Sequence, residues 1–207
     1  LNLTDRFINQ LKDYWNMREF IYYSGKARTS GNFKDLMSAG RLDIALHTVI
    51  AAFFLSNITR EDVRLHLIFN GPPDPPKHLE FVSNEELPIS KKDVGTLIKI
   101  MLYKCKKDKK IEVFPGCFVE KKSFRALFNE LRDANRNIYV LDKKGDDIRN
   151  TEIKDNPIFI LGDHEGLPKQ EIKYMKDYAK LVSIGKMPYF SSQVVVIVNN
   201  ELDRREI

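Results

Sequence analysis

Three apolar runs in the last third of the chain, "NIYVLDKKGDD", "IFILGDHEG" and "KLVSIGKMPYFSSQ", each break off into a glycine-bearing polar turn. Short apolar runs bounded by turns read as strands buried on both faces, and helical segments between them point to parallel strands covered by crossover helices. In an open parallel sheet, ligands bind outside the carboxyl ends of the strands, where backbone groups are free and glycine lets the chain approach closely. Three such ends imply one pocket.

The rest of the chain alternates in the same way. "REFIYYSG", "DVRLHLIFNG" and "HLEFVS" read as strands, "RLDIALHTVIAAFFLSN" as a largely buried helix, and "KKSFRALFNELRDAN" as a second helix. A further helix starts near Ser90 and ends in the basic run "YKCKKDKK"; the segment "IEVFPG" after it has no assigned form. The expected fold class is α/β, a mostly parallel sheet with helices on both faces. With 207 residues, 43% of them hydrophobic, a single domain over residues 17–207 is expected. Leu3, Phe7, Leu11, Tyr14 and Trp15 recur at helical spacing, so residues 1–16 read as a helical appendage. "SSQVVVIVNNELDRR" holds five consecutive β-branched residues and by propensity is a strand.

Several function classes drop out. Neither GxGxxG nor GxxxxGK[ST] occurs, which removes the phosphate cradles of a Rossmann site and a P-loop. Cys105 and Cys117 have no CxxC spacing, and Asp163, His164 and Glu165 are too close in sequence to converge on one ion without a second cluster, so no metal is expected. No apolar run approaches a membrane span and the first residues lack the order of a signal peptide, so a soluble, cytoplasmic protein is expected. The net charge of +5 permits a nucleic-acid partner without requiring one.

Polar stretches supply candidates for such a partner. "KARTSGNFKD" offers Arg28, Thr29, Ser30 and Lys34, the donor types that phosphates recruit. "GPPDPPK" is either a rigid turn only or a stiff wall that presents Lys77 to substrate; "KCKKDKK" is either a solvated helix end or a further phosphate contact. His47 reads as a core or interface histidine, and His66 and His78 as strand residues without a chemical task.

The blocks "YYSGKARTSGNF", "AGRLDIALHTVIAAFFLS", "IFNGPPDPPK", "YVLDKKG", "FILGDHEGLP" and "LVSIGKMPYFSSQ" occur in an order that resembles the TrmY family, SPOUT-class tRNA pseudouridine-N1-methyltransferases acting at tRNA position 54, in the TΨC loop. The likeness runs from about Met17 to Leu202. It implies a C-terminal trefoil knot, S-adenosylmethionine bound in that knot, a tRNA substrate and a homodimer whose active site draws on both chains. It also implies that "SSQVVVIVNNELDRR" is the helix that threads the knot, against its strand propensity. The alternatives are an rRNA pseudouridine-N1-methyltransferase sharing the knot, and a catalytically silent RNA-binding module.

For the cofactor, the resemblance implies Leu141, Gly162, Ser183, Ile184, Gly185, Lys186, Met187, Pro188 and Val194; Gly162 would let the backbone come against it, and Pro168 would open the helix that follows. Val194 stands where the family often has cysteine. Arg41 and Asp43 of "AGRLD", at a helix start, are the candidate catalytic pair, with Asp43 taking the proton from N1 of pseudouridine. The competing reading is helix-start chemistry, a carboxylate stabilised by free N–H groups.

Overall fold

The computed structural model describes residues 17–90 and 92–207, so the appendage expected over residues 1–16 lies outside the described residues. The centre is one eight-stranded sheet of order β4-β5-β3-β2-β1-β7-β6-β8. Its strands are β1 (Arg18–Ser24), β2 (Val63–Phe69), β3 (Lys77–Val82), β4 (Ile111–Phe114), β5 (Cys117–Glu120), β6 (Ile138–Asp147), β7 (Ile158–Gly162) and β8 (Lys180–Ser183). β2, β1, β7, β6 and β8 run parallel, whereas β3, β5 and β4 extend the sheet antiparallel. The unassigned segment "IEVFPG" is β4 and the turn of a hairpin, with Gly116 at φ 72°.

Alternation along β1 divides the core in two. Phe20 and Tyr22 point to one face, with helices α1 (Leu42–Phe53), α2 (Val94–Lys104) and α5 (Ser191–Arg205); Ile21 and Tyr23 point to the other, with α3 (Phe124–Asp133) and α4 (Lys169–Met175). Ser123 caps α3 by accepting a hydrogen bond from the Ala126 N–H at 3.1 Å. Both sheet faces are therefore covered, as the apolar runs imply.

The segment "SSQVVVIVNNELDRR" is a helix, α5, against its strand propensity. Val195, Val198 and Leu202 sit at i, i+3 and i+7 and are fully buried, while Val196 is 53% exposed. Burial of that stripe outweighs β-branched propensity, which spans only tenths of a kcal/mol per residue. Both ends of α5 are fastened. The Ser191 hydroxyl donates to the Gly162 carbonyl at 2.9 Å, and the Arg205 guanidinium donates to the carbonyls of Ile148, Arg149 and Thr151 at 2.7, 3.0 and 2.7 Å. Arg18 of β1 reaches Asn199 and Asp203 of the same helix. Among the described residues no helix is long and apolar enough to cross a membrane.

His66 and His78 lie in strands, as the sequence implies, but they are joined in a buried chain. His66 contacts Glu19 and His78 at 2.8 Å each, and His78 contacts Glu120 at 3.0 Å. Burial alone would push the Glu19 carboxyl up, but the hydrogen bond from His66 and the charges of His66, Arg136 and Arg64 outweigh it and hold the group at about 2. Burial pushes His78 down to about 4. Both folded values lie below the unfolded ones, so the unfolded chain binds more protons as pH falls. Stability should therefore decline through His78 from 6.5 towards about 4, and through Glu19 from 4.5 towards about 2. The Glu19 part is on the order of 3 kcal/mol. Urea midpoints at pH 7.5, 5.5 and 4 should fall in that order; equal midpoints would contradict the assignment.

Candidate active site

The parallel strands β6, β7 and β8 end along one edge, and a cavity of about 680 Å³ opens there. Leu141, Leu161, Leu181, Ile172 and Val194 form its apolar wall; Asp142, Glu165, Lys143, Lys144 and Lys169 supply charge around it. After Leu141 the chain leaves the ladder, then β6 pairs again with β8 at Asp146 and Asp147, so the 142–145 segment forms one lip. The size suits a small-molecule ligand. The lining fits S-adenosylmethionine: an apolar slot for a purine and carboxylates for hydroxyl and ammonium groups. Among the described residues no His, Cys, Asp and Glu cluster could hold a metal ion.

The "GDHEG" turn needs its two glycines for different reasons. A Cβ on Gly162 would stand 2.2 Å from the Gly166 backbone carbon and 2.5 Å from the Leu167 nitrogen. Gly162 is thus required by the turn folding back on the strand. At Gly166 there is open space, but φ is 76°, a left-handed conformation that favours glycine. Asp163 organises the turn. Its carboxylate accepts from the Ser24 hydroxyl at 2.6 Å and from the Glu165 N–H at 2.8 Å.

Of the residues named for the cofactor, Leu141, Gly162 and Val194 line the cavity. Ser183, Ile184, Gly185, Lys186, Met187 and Pro188 do not; they lie between the wall residues Leu181 and Tyr189. The Ser183 hydroxyl is turned onto the backbone of Gly185, which has φ 129°, and Met187 is 69% exposed. Sequence reasoning missed Asp142, Lys169, Tyr189 and Ser191. Their place within the quoted strand-end blocks was the available signal.

Arg41 and Asp43 form a bidentate pair, with Nε to Oδ1 and Nη2 to Oδ2 both 2.9 Å. Arg41 precedes α1 in the left-handed region, at φ 63°, and no side chain caps this helix. The Asp43 carboxylate lies in the first turn of α1 and faces Arg41, an arrangement that the helix-start reading also accommodates. The hydrogen bond from Arg41 comes first among the causes that hold the Asp43 carboxyl below its usual range. Neither residue lines the large cavity. Tyr22 is a buried phenol pushed up by burial and by the charges of Asp163 and Asp43. His47, expected in a core or interface, is exposed one turn after Asp43.

The RNA candidates divide. Thr29 is buried, donating to the Gly71 carbonyl and accepting from the Asp74 N–H at 2.9 Å each; Lys77 is buried with its ammonium on Asp74 at 2.8 Å. Both are buried and hold the proline-rich loop. Ser30 accepts from the Asn32 N–H at 3.1 Å, and Lys34 is exposed. Arg28 lines a second cavity of about 300 Å³.

Residues 17–207 match a family model described as "Putative SAM-dependent RNA methyltransferase". The chain is 36% identical to the tRNA (pseudouridine(54)-N(1))-methyltransferase of Methanococcoides burtonii over 91% of its length and 96% of the relative's. It is 35% identical to the enzyme of that name from Methanocaldococcus jannaschii, over 92% and 98%. Among solved structures, Archaeoglobus fulgidus Nep1 bound to S-adenosylhomocysteine aligns with a TM-score of 0.59 at 14% identity, covering 92% of this chain and 99% of Nep1, a likeness of fold. A parallel sheet with a nucleoside-sized cavity at its carboxyl edge, and a match across nearly the whole described chain, place this protein in the SAM-dependent RNA methyltransferase family.

Proposed function

We propose that this chain methylates N1 of pseudouridine 54 in tRNA, with S-adenosylmethionine in the larger cavity. The observation that carries the substrate is 36% identity, across 91% of the chain, to a relative bearing that activity in its name. When bound, the cofactor supplies an activated sulfonium methyl group. The chain must then align the acceptor and take one proton from it. Leu141, Leu161, Leu181 and Val194 hold the purine and exclude water, and Asp142 and Glu165 receive the polar groups. Asp43 accepts the N1 proton. Its two oxygens each accept one hydrogen bond from Arg41 and keep lone pairs free, so the arginine orients the carboxylate and keeps it ionised.

A homodimer belongs to the same proposal. Met187, Tyr189, Phe190 and Val196 are 69%, 44%, 62% and 53% exposed on one stretch beside the cavity, apolar area of the kind a second copy covers. The trefoil knot also belongs to it, supported by the fastening of α5 to Gly162 at one end and to residues 148–151 at the other. A tRNA substrate also sets the cytoplasm as the place of action.

The test is transfer of tritium from methyl-labelled cofactor to tRNA carrying pseudouridine at position 54. Label should appear there and be absent from rRNA and from tRNA with uridine at that position. Label in rRNA alone, or in nothing, would overturn the reading.

A further inference from the structure

The basic run at 104–110 keeps most of its charge unused. Lys110 is committed, because its ammonium pairs with Glu80 and lies 4.8 Å from the centre of the Phe118 ring. Lys104, Lys106, Lys107 and Lys109 are exposed and have no ion pair among the described residues, and Asp108 is the one carboxylate in the run. Helix-end chemistry accounts for the first of these lysines only. α2 ends at Lys104, and the attraction of a helix carboxyl end for cations fades within the last turn. Lys106, Lys107 and Lys109 lie beyond it, around a turn that Asp108 makes in the left-handed region at φ 58°.

The run is held in place from two sides. The Lys99 ammonium donates to the Phe33 carbonyl at 3.0 Å, and a Cβ on Gly31 would stand 2.4 Å from the Tyr103 ring, so the 31–33 segment lies directly on the last turns of α2. Thr29 fastens that segment to the proline-rich loop through Gly71 and Asp74, and Asp74 pairs with both Lys77 and Lys121. Three loops distant in sequence thus form one platform, with the Tyr103 side of it 60% exposed beside the lysines.

The sheet sets where this platform faces. Lys77 at the start of β3 pairs with Phe69 at the end of β2, Glu120 at the end of β5 pairs with His78, and Ile111 at the start of β4 pairs with Val119. The starts of β3 and β4 and the end of β5 therefore share an edge with the carboxyl ends of the parallel strands, where the larger cavity opens. The run leads into β4, which is five strand spacings from β7, or about 24 Å at the usual separation of paired strands. Its lysines line neither cavity.

We infer that Lys104, Lys106, Lys107 and Lys109 dock a stretch of RNA backbone outside the loop that is methylated, a second contact that orients the whole tRNA on the enzyme. The inference rests on the tRNA methyltransferase reading and adds a surface that reaches past the reacting nucleotide. Four flexible ammonium groups offer point charges without a fixed fork, which suits successive phosphates of a polyanion better than one compact ligand. Contacts of this kind position a nucleic acid without reading its bases.

The test compares the parent with a variant carrying Lys104→Gln, Lys106→Gln, Lys107→Gln and Lys109→Gln, and with a second carrying arginine at the same four positions. Melting temperature, S-adenosylmethionine affinity, RNA binding across a salt series and steady-state methylation would be measured on full-length tRNA and on a pseudouridine-containing TΨC stem-loop. The glutamine variant should melt and bind cofactor as the parent does. Its salt slope for full-length tRNA should fall by about two to four, and its KM for that substrate should rise about tenfold or more at unchanged kcat. Stem-loop binding and methylation should stay at the parent's values, and the arginine variant should match the parent throughout. An equal loss on tRNA and stem-loop would overturn the inference, since the lysines would then serve the methylated loop or act only through net charge. No loss on either would also overturn it and leave the run a solvated helix end. A parent that methylates no RNA, but whose tRNA binding alone is weakened by the glutamines, would overturn the proposed activity and keep the docking surface.

Discussion

Asp43→Asn should lower the single-turnover rate of methylation by about 10²–10⁴-fold, the usual contribution of a positioned general base, while cofactor affinity stays unchanged. The separation follows from the geometry. Asp43 does not line the cofactor cavity, so its removal leaves that pocket intact. Asparagine is nearly isosteric and keeps one oxygen for Arg41, and α1 carries no side-chain cap that the change could remove, so the melting temperature should move little. What asparagine lacks is a site for the proton. A rate within threefold of the parent would make the pair structural, and would pass the proton to water or to the exposed His47 one turn along.

Gly162→Val should abolish measurable cofactor binding and destabilise the fold by more than the usual 1–3 kcal/mol of overpacking. The first carbon of any side chain there meets backbone at 2.2–2.6 Å, and backbone cannot swing aside as a side chain does. The 163–167 turn would be driven off the strand, taking with it Glu165, Gly166 and Leu167, all lining residues. Gly185→Ala supplies the contrast. Open space surrounds that position and only the φ of 129° opposes a Cβ, so a loss of about 1–3 kcal/mol with cofactor binding retained is expected. Calorimetry and thermal melting on both variants check this. Equal cofactor affinity in Gly162→Val and parent would remove the turn from the site.

Much of this architecture was legible in the residues. The succession of strand and helix segments gave the covered sheet, and the burial of Phe20 and Tyr22 on one face and Ile21 and Tyr23 on the other agrees with it. The β4–β5 hairpin was not legible. Its strands are four residues each and only two of the eight positions are buried, so neither periodicity nor propensity has length enough to signal. For α5, propensity pointed to a strand and only the family resemblance pointed to a helix, because the deciding stripe of Val195, Val198 and Leu202 is diluted by Val194, Val196 and Ile197. At the cavity, Leu141, Gly162 and Val194 are the lining residues that the strand-end blocks had singled out. For Thr29 and Lys77, a hydroxyl or an ammonium in a polar loop advertises a donor, and sequence does not reveal that the side chain is buried against the loop itself. The organising role of Asp163 was hidden likewise, since its partner Ser24 is 139 positions away.

The fastening of α5 bears on how the enzyme matures. Val194 and Ser191 wall the cofactor cavity, yet they belong to the last helix described, after every strand of the sheet. On the ribosome, a nascent chain could assemble β1 to β8 and still lack a place for the cofactor. Clipping by a protease anywhere between Gly185 and Ser191 would likewise disconnect a helix whose ends are already secured, so a nicked protein should retain its shape under native conditions and fail to regain it once unfolded.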